Sequence, residues 1–271
     1  MYDVIVIGSG PAGLSAAINV RQRGGSVLVA GLPAEGSPLY KAEKIDNYLG
    51  MPGLTGKEML DTFKKHAVDM GVEFCPERVL NAFNTGSSWM ISAGSEVYEA
   101  YALVFGGGIT RGKTYPGEES YLGRGVSYCA TCDGMLYRGK EVAVVGFSEA
   151  DREEAEYLEG IGCKVHWFMR PKSLEIQGEA AVTSVIVDSE KLDVAGVFIL
   201  RPSIAPSSLF PGIAQDGNYI HVERNMSTNL DGLYAAGDCT GLPLQVSKSV
   251  GEGLIAGQSA AAYAAEKKRA L

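Results

Sequence analysis

The stretch Gly8-Ser9-Gly10-Pro11-Ala12-Gly13 constrains this chain more than any other. It follows an apolar run over residues 3–7 that reads as a buried strand, and it precedes a helical pattern reaching about Arg23. Gly24-Gly25 ends that helix, and Ser26 to Ala30 reads as a second strand. Strand, glycine turn, helix, strand is the opening of a Rossmann-type unit. A G-x-G-x-x-G alone is weak, but in this context it is specific. The glycines permit a tight turn and close approach of backbone to a pyrophosphate. The helix N-terminus adds N–H groups and a partial positive charge, and Pro11 costs nothing in the first turn. Gly8, Gly10, Pro11, Ala12 and Gly13 are therefore expected to hold a dinucleotide. The acidic residue that grips the ribose in such units is missing, because the second strand runs Val27-Leu28-Val29-Ala30-Gly31. The adenosine must be held some other way.

A second signature lies far downstream. Leu233-Tyr234-Ala235-Ala236-Gly237-Asp238 reads as a strand ending in Gly-Asp. This suits an FAD: the Asp238 carboxylate can accept hydrogen bonds from ribityl hydroxyls, and Gly237 leaves room for a phosphate. Gln245 then precedes a last helix whose N-terminus could stabilise negative charge on a reduced flavin.

Between the two lies Cys129-Ala130-Thr131-Cys132-Asp133-Gly134, at a predicted helix start. Two thiols at this spacing can close and reopen a small disulfide ring by exchange. Asp133, directly after Cys132, can shuttle a proton to a leaving thiolate. A zinc site built with Cys163-x-x-His166 is the alternative, but residues 163 and 166 of a strand point to opposite faces. Cys75, Cys163 and Cys239 read as inert buried thiols, and no metal site is expected.

Composition narrows the class. The 271 residues are 46% apolar and 21% charged, with 35 glycines, which suits a soluble globular protein whose backbone approaches phosphates. The net charge of −8 argues against nucleic acid as a partner. No apolar run is long enough to span a bilayer, and with a strand read from almost the first residue no signal peptide is expected. Five cysteines with one close pair do not make a secreted disulfide framework, so a reducing, cytoplasmic setting is expected.

The pattern along the chain predicts an amphipathic helix over 57–70, alternation around 88–98, an apolar run at 102–105, a strand over 141–145 and a charged helix over 149–159. Further strands are expected at 164–169, 181–187 and 193–200, with a helix from Val246 to the C-terminus. Linker-like composition at 111–118 and 202–211 marks two crossings. The expected class is α/β, with two Rossmann-like, three-layer ββα domains. An FAD domain of residues 1–112 and 203–271 would carry an inserted, shortened redox domain of residues 115–200.

With Gly8–Gly13, Cys129–Gly134 and Ala236-Gly237-Asp238, the chain resembles the low-molecular-weight thioredoxin reductases. Ile45-Asp46-Asn47-Tyr48 is similar to their flavin-contacting loop, and Leu244-Gln245-Val246 to their C-terminal flavin segment. The resemblance implies an FAD-binding homodimer that reduces a protein disulfide, with Asn47, Gln245 and Val246 at the flavin. It also implies that Cys129 attacks the partner disulfide, Cys132 lies against the flavin and Asp133 is the acid.

The central segment departs from that family. Its second fingerprint, Gly-x-Gly-x-x-Ala, is replaced by Gly146-Phe147-Ser148-Glu149-Ala150-Asp151. A carboxylate about 5 Å from one phosphate charge costs roughly 3 kcal/mol at an effective dielectric near 20. The basic run that grips NADPH has become His166-Trp167-Phe168-Met169-Arg170, and the chain between Arg170 and Leu192 is short for a full crossover. NADPH is therefore not expected, and the chain looks like the ferredoxin-linked branch, with thioredoxin as electron acceptor. Two alternatives stay open on the sequence: a dithiol oxidase using oxygen, and an NADPH-dependent thioredoxin reductase with an atypical nucleotide site.

Overall fold

A computed structural model describes residues 1–34, 37, 39–108, 114–128, 130–200 and 206–270, with all their side chains but those of Cys132 and Ala150. The chain divides into two compact units, Met1–Thr110 with Ala205–Leu271, and Arg111–Ile204.

The first unit opens with β1 (Tyr2–Ile7), α1 (Pro11–Gln22) and β2 (Val27–Ala30). Val4, Ile5, Val6 and Ile7 are all buried, because β1 has a parallel neighbour on each side and helices over its face. A capping box starts α2 (Gly56–Asp69): the Glu58 N–H donates to Thr55 Oγ1, and the Thr55 N–H donates to Glu58 Oε2. Short β3 (Glu73–Cys75) extends the parallel sheet beside β2.

Next come β4 (Val79–Asn84), β5 (Trp89–Ala93) and β6 (Glu96–Phe105). The alternating stretch and the apolar run of the sequence thus become one hairpin whose second strand continues into the core. The start of β6 pairs antiparallel with β5, and its buried end, Ala102–Phe105, lies parallel to β1.

In the second unit, β7 (Val126–Ser127), α3 (Ala130–Asp133), β8 (Glu141–Gly146), α4 (Arg152–Gly160) and β9 (Lys164–Met169) follow in order. Then come β10 (Leu174–Gly178), β11 (Val182–Val187), β12 (Glu190–Asp193) and β13 (Gly196–Ile199). Strands β7, β13, β8 and β9 form a parallel sheet, and β10, β11 and β12 an antiparallel one. The sequence pattern missed β10 and β12 because both are short: β10 alternates over only three residues, and β12 has no buried residue to mark it. Ile176, Val185 and Val187 of the antiparallel sheet pack with Ala143, Val145 and Val197 of the parallel one. Val142, Val144 and Phe198 pack with Ala155 and Leu158 of α4 on the other face. The result is a ββα sandwich, in which a three-strand meander fills the core that a longer crossover would otherwise fill.

The chain returns to the first unit with α5 (Pro206–Leu209), the hairpin β14 (Gln215–Asp216) and β15 (Tyr219–Ile220), then β16 (Leu233–Ala235) and α6 (Val246–Arg269). Strand β16 lies parallel to β6. Helix α6 packs on α1 almost backbone to backbone. A Cβ on Gly253 would stand 2.2 Å from Ala12 O, and one on Gly257 2.3 Å from Ala16 O. Ser15 Oγ donates to Val250 O at 2.7 Å across the same contact. Among the described residues no helix is long and apolar enough to cross a membrane.

The two ends of the chain are tied by buried Asp3. Its carboxylate pairs with Lys268 and accepts from the Ser26 N–H at 2.8 Å. Burial alone would raise its pKa, but the Lys268 ammonium and the Ser26 donors outweigh burial and hold it below the ordinary 3.8. A depressed carboxyl stabilises the fold above its ordinary pKa and loses that contribution as pH falls through the lowered value. Asp3→Asn should therefore lower stability at neutral pH, and the gap to the parent should close below pH 3.8 in urea unfolding. Gly257→Val should cost on the order of 1–3 kcal/mol by overpacking, read by the same measurement.

Candidate functional sites in the two units

In the first unit the β1–α1 turn is built by close approach. Gly8 has φ +114°, and its Cβ would stand 2.5 Å from Gly106 O. A Cβ on Gly13 would meet Gly8 O at 1.9 Å. On Gly10, by contrast, a Cβ would meet no heavy atom within 4 Å. Among the described residues no side chain caps α1, which starts with Pro11 after the extended Gly10. The turn thus presents an open helix N-terminus beside empty space, which fits the pyrophosphate of an FAD. A pocket lined by Gly31, Tyr40, Lys64, Phe74 and Cys75 opens beside it and could take the adenosine. Lys64, over the Phe74 ring, and the Tyr40 hydroxyl are polar groups there that the sequence did not single out.

The Gly-Asp turn stands at the end of β16. Gly237 has φ +90°, and a Cβ there would stand 2.8 Å from Ala12 Cβ, so this turn abuts the start of α1. Asp238 Oδ1 accepts from Ser249 Oγ at 3.4 Å. Asn47 and Gln245, distant in sequence, come together: Asn47 Nδ2 donates to Gln245 Oε1 at 2.8 Å. Gln245 is the N-cap residue of α6, and Val246 its first residue.

Two residues that sequence reasoning missed hold this turn. Lys248 Nζ donates to Gly237 O and Gly241 O, each at 2.8 Å, and pairs with Glu252 at 3.2 Å. Glu252 Oε2 accepts from the Gly237 N–H at 2.9 Å and from Thr240 Oγ1 at 2.7 Å. A Lys and Glu four apart on a helix normally read as a solvated pair. Their only sequence clue is position, in the turns beside Gly253, which meets α1.

In the second unit, Cys129 lies outside the described residues, and Cys132 lies in α3 with its side chain not described. The frame around them is defined. Asp133 Oδ2 accepts from the buried Ser127 hydroxyl at 2.6 Å. The Ala130 N–H donates to Glu154 Oε2 of α4 at 2.9 Å. Gly134 packs against Leu158, whose Cδ2 a Cβ would approach to 2.7 Å. Tyr128 Oη donates to fully buried Glu118 at 3.1 Å.

The remaining cysteines are buried. Cys163 Sγ donates to Tyr137 O at 3.2 Å, and burial raises its pKa. Burial pushes the Cys239 thiol up to about 12, and Cys75 is buried in the wall of the pocket beside the β1–α1 turn. His166 Nε2 pairs with Glu141 at 3.1 Å, so Cys163 and His166 serve different partners.

The β8–α4 turn, where a second dinucleotide would bind, differs from the β1–α1 turn. The Phe147 and Ser148 N–H groups both donate to Asp151 Oδ2, at 2.7 and 2.8 Å. A one-turn 3₁₀ segment, Glu149–Asp151, therefore precedes α4, where the sequence predicted one continuous helix from 149. Trp167 covers Gly146, whose Cβ would stand 2.1 Å from the indole. Arg170, the last cation of the basic run, donates from Nε to Phe147 O at 2.7 Å.

A profile of the pyridine nucleotide-disulphide oxidoreductases matches residues 2–185. The thioredoxin reductase of Bacillus subtilis is 30% identical over 309 aligned positions, covering 100% of this chain and 97% of that one. The chain belongs to the pyridine nucleotide-disulphide oxidoreductases, in the thioredoxin reductase family. Among solved structures, a ferredoxin-flavin thioredoxin reductase from Clostridium acetobutylicum is 37% identical with a TM-score of 0.94 over 99% of both chains. A second structure so described from that organism is 39% identical with a TM-score of 0.85, covering 100% of this chain and 99% of that one. FAD is the cofactor this family implies, and the open β1–α1 cradle suits it.

Two of the cradle's glycines, Gly10 and Gly13, separate binding from folding. Gly10→Val should leave stability nearly unchanged and abolish flavin retention, read from flavin absorbance after purification. Gly13→Ala should lower the melting temperature itself, because its methyl would collide with the Gly8 carbonyl.

Proposed function

We propose that this chain is a thioredoxin reductase that takes electrons from reduced ferredoxin, not NADPH, and passes them through FAD and the Cys129–Cys132 pair to thioredoxin. The observation that carries the choice of donor is the Asp151 carboxylate on the Phe147 and Ser148 N–H groups. An incoming pyrophosphate would have to displace it and would then face its charge. Trp167 and Arg170 already occupy the two sides of that turn. The likeness over 99% of both chains to an enzyme described as a ferredoxin-flavin thioredoxin reductase supports the same reading.

FAD bound at Gly8, Gly10, Pro11, Ala12, Gly13, Asn47, Gly237, Asp238, Gln245 and Val246 would join a one-electron donor to two-electron disulfide chemistry. The chain's own groups do the exchange. Cys129 thiolate attacks one sulfur of the thioredoxin disulfide, forming a mixed disulfide and releasing the other sulfur as thiolate. Cys132 thiolate then attacks Cys129 Sγ, which closes the Cys129–Cys132 disulfide and frees thioredoxin. Asp133, oriented by Ser127, delivers a proton to a departing thiolate. Each turnover consumes two reduced ferredoxins, one electron from each, and two protons.

Anaerobic flavin absorbance, titrated separately with NADPH and with reduced ferredoxin, tests the donor. Bleaching by ferredoxin, reversed by oxidised thioredoxin, is expected; rapid bleaching by NADPH would overturn the assignment. Cys132→Ser should trap a thioredoxin adduct on Cys129, seen as a mass increase that dithiothreitol reverses.

A further inference from the structure

The frame of the redox helix contains a charge that the exchange described above does not use. Glu154, in the first turns of α4, reaches across to α3 and accepts from the Ala130 N–H at 2.9 Å. Ala130 directly follows Cys129 in sequence, so the carboxylate is hydrogen-bonded one residue from the proposed attacking cysteine. The helix it starts is four residues long, a length at which intrahelical hydrogen bonds alone stabilise little. Glu154 therefore takes the place of a capping side chain at that start. Its neighbour Ala155 is fully buried in the core with Leu158, which fixes the face of α4 that Glu154 flanks.

We infer that Glu154 is a positioning residue of the dithiol. It fixes the start of α3 through Ala130, and its negative charge biases the Cys129–Cys132 pair toward the disulfide. The physical ground is simple. A fixed anion close to a thiolate disfavours that thiolate. The reduced pair carries thiolate character and the disulfide carries none, so the anion shifts the balance toward the oxidised pair. A hydrogen-bonded carboxylate held by the fold keeps this effect better than a mobile surface charge.

This inference rests on the dithiol assignment proposed above, and Glu154→Gln separates the two. The amide keeps an acceptor for the Ala130 N–H and removes only the charge; Glu154→Ala removes both. The purified flavoprotein is equilibrated anaerobically in buffers of reduced and oxidised dithiothreitol. In the reaction read, the protein disulfide takes two electrons and two protons from the reagent, whose two thiols close to its cyclic disulfide. The free pair is then quantified by alkylation and mass mapping to Cys129 and Cys132.

Glu154→Gln is expected to shift that equilibrium about tenfold toward the dithiol, near 30 mV for a two-electron couple. It should also move the pH midpoint of Cys129 alkylation down by about one unit, since one unit is tenfold in thiolate fraction. Glu154→Ala should shift the equilibrium at least as far and add local exchange of the Ala130 amide. A Glu154→Gln protein that matches the parent in both readouts would overturn the inference, because a purely structural acceptor survives that change. A parent protein that forms no Cys129–Cys132 disulfide at any buffer ratio would overturn the dithiol assignment itself.

Discussion

The first unit depends on backbone meeting backbone where side chains would normally intervene. Gly8 sits against Gly106, Gly13 against Gly8, and Gly253 and Gly257 against the carbonyls of α1, while Gly237 closes on the Ala12 methyl. Each contact draws a helix or turn about one side-chain layer closer than ordinary packing allows. Together they bring the β1–α1 turn, the Gly-Asp turn and the start of α6 around one open helix terminus. The Lys248–Glu252 pair then fastens the Gly-Asp turn to α6. Losing a single glycine here displaces whole elements, whereas Gly10, which faces open space, constrains only a ligand.

The second unit carries a turn in the corresponding place, between β8 and α4, and fills it with its own atoms. Asp151 accepts from the N–H groups that a phosphate would need, Arg170 ties the turn to the end of β9, and Trp167 covers Gly146. A buried or half-buried N–H must have a partner, and a carboxylate in the chain satisfies it as well as an anion from solution. The β8–α4 turn thus meets these N–H groups from within the chain. The same helix, α4, uses its next acidic turn to reach the redox helix through Glu154.

Much of this was legible in the sequence because close approach demands glycine and parallel strands demand unbroken apolar runs. Gly8–Gly13 after Val4–Ile7, and Gly237 after Leu233–Ala236, reveal themselves by residue type alone. The loss of glycines after Gly146 was equally visible, but its consequence was not. Asp151 read as a repelling charge, and the structure shows it also as an internal ligand. Strands β10 and β12 escaped because five residues with two buried positions, and four with none, leave no run long enough to recognise. Lys248, Glu252 and Glu154 escaped for a different reason. Each acts on the backbone of another segment, and a backbone N–H or C=O has no signature in sequence. Ser127 escaped because a serine in a two-residue strand gives no sign that its hydroxyl serves Asp133.

The most direct test of this account is the number of dinucleotide sites per chain. Calorimetric titration of the flavin-free protein, first with FAD and then with NADPH, counts them. One tight FAD equivalent and no saturable heat from NADPH in the millimolar range is the predicted result. A second site, saturating with NADPH at micromolar concentration, would contradict it: the β8–α4 turn would then be open, and Asp151 would yield to a phosphate.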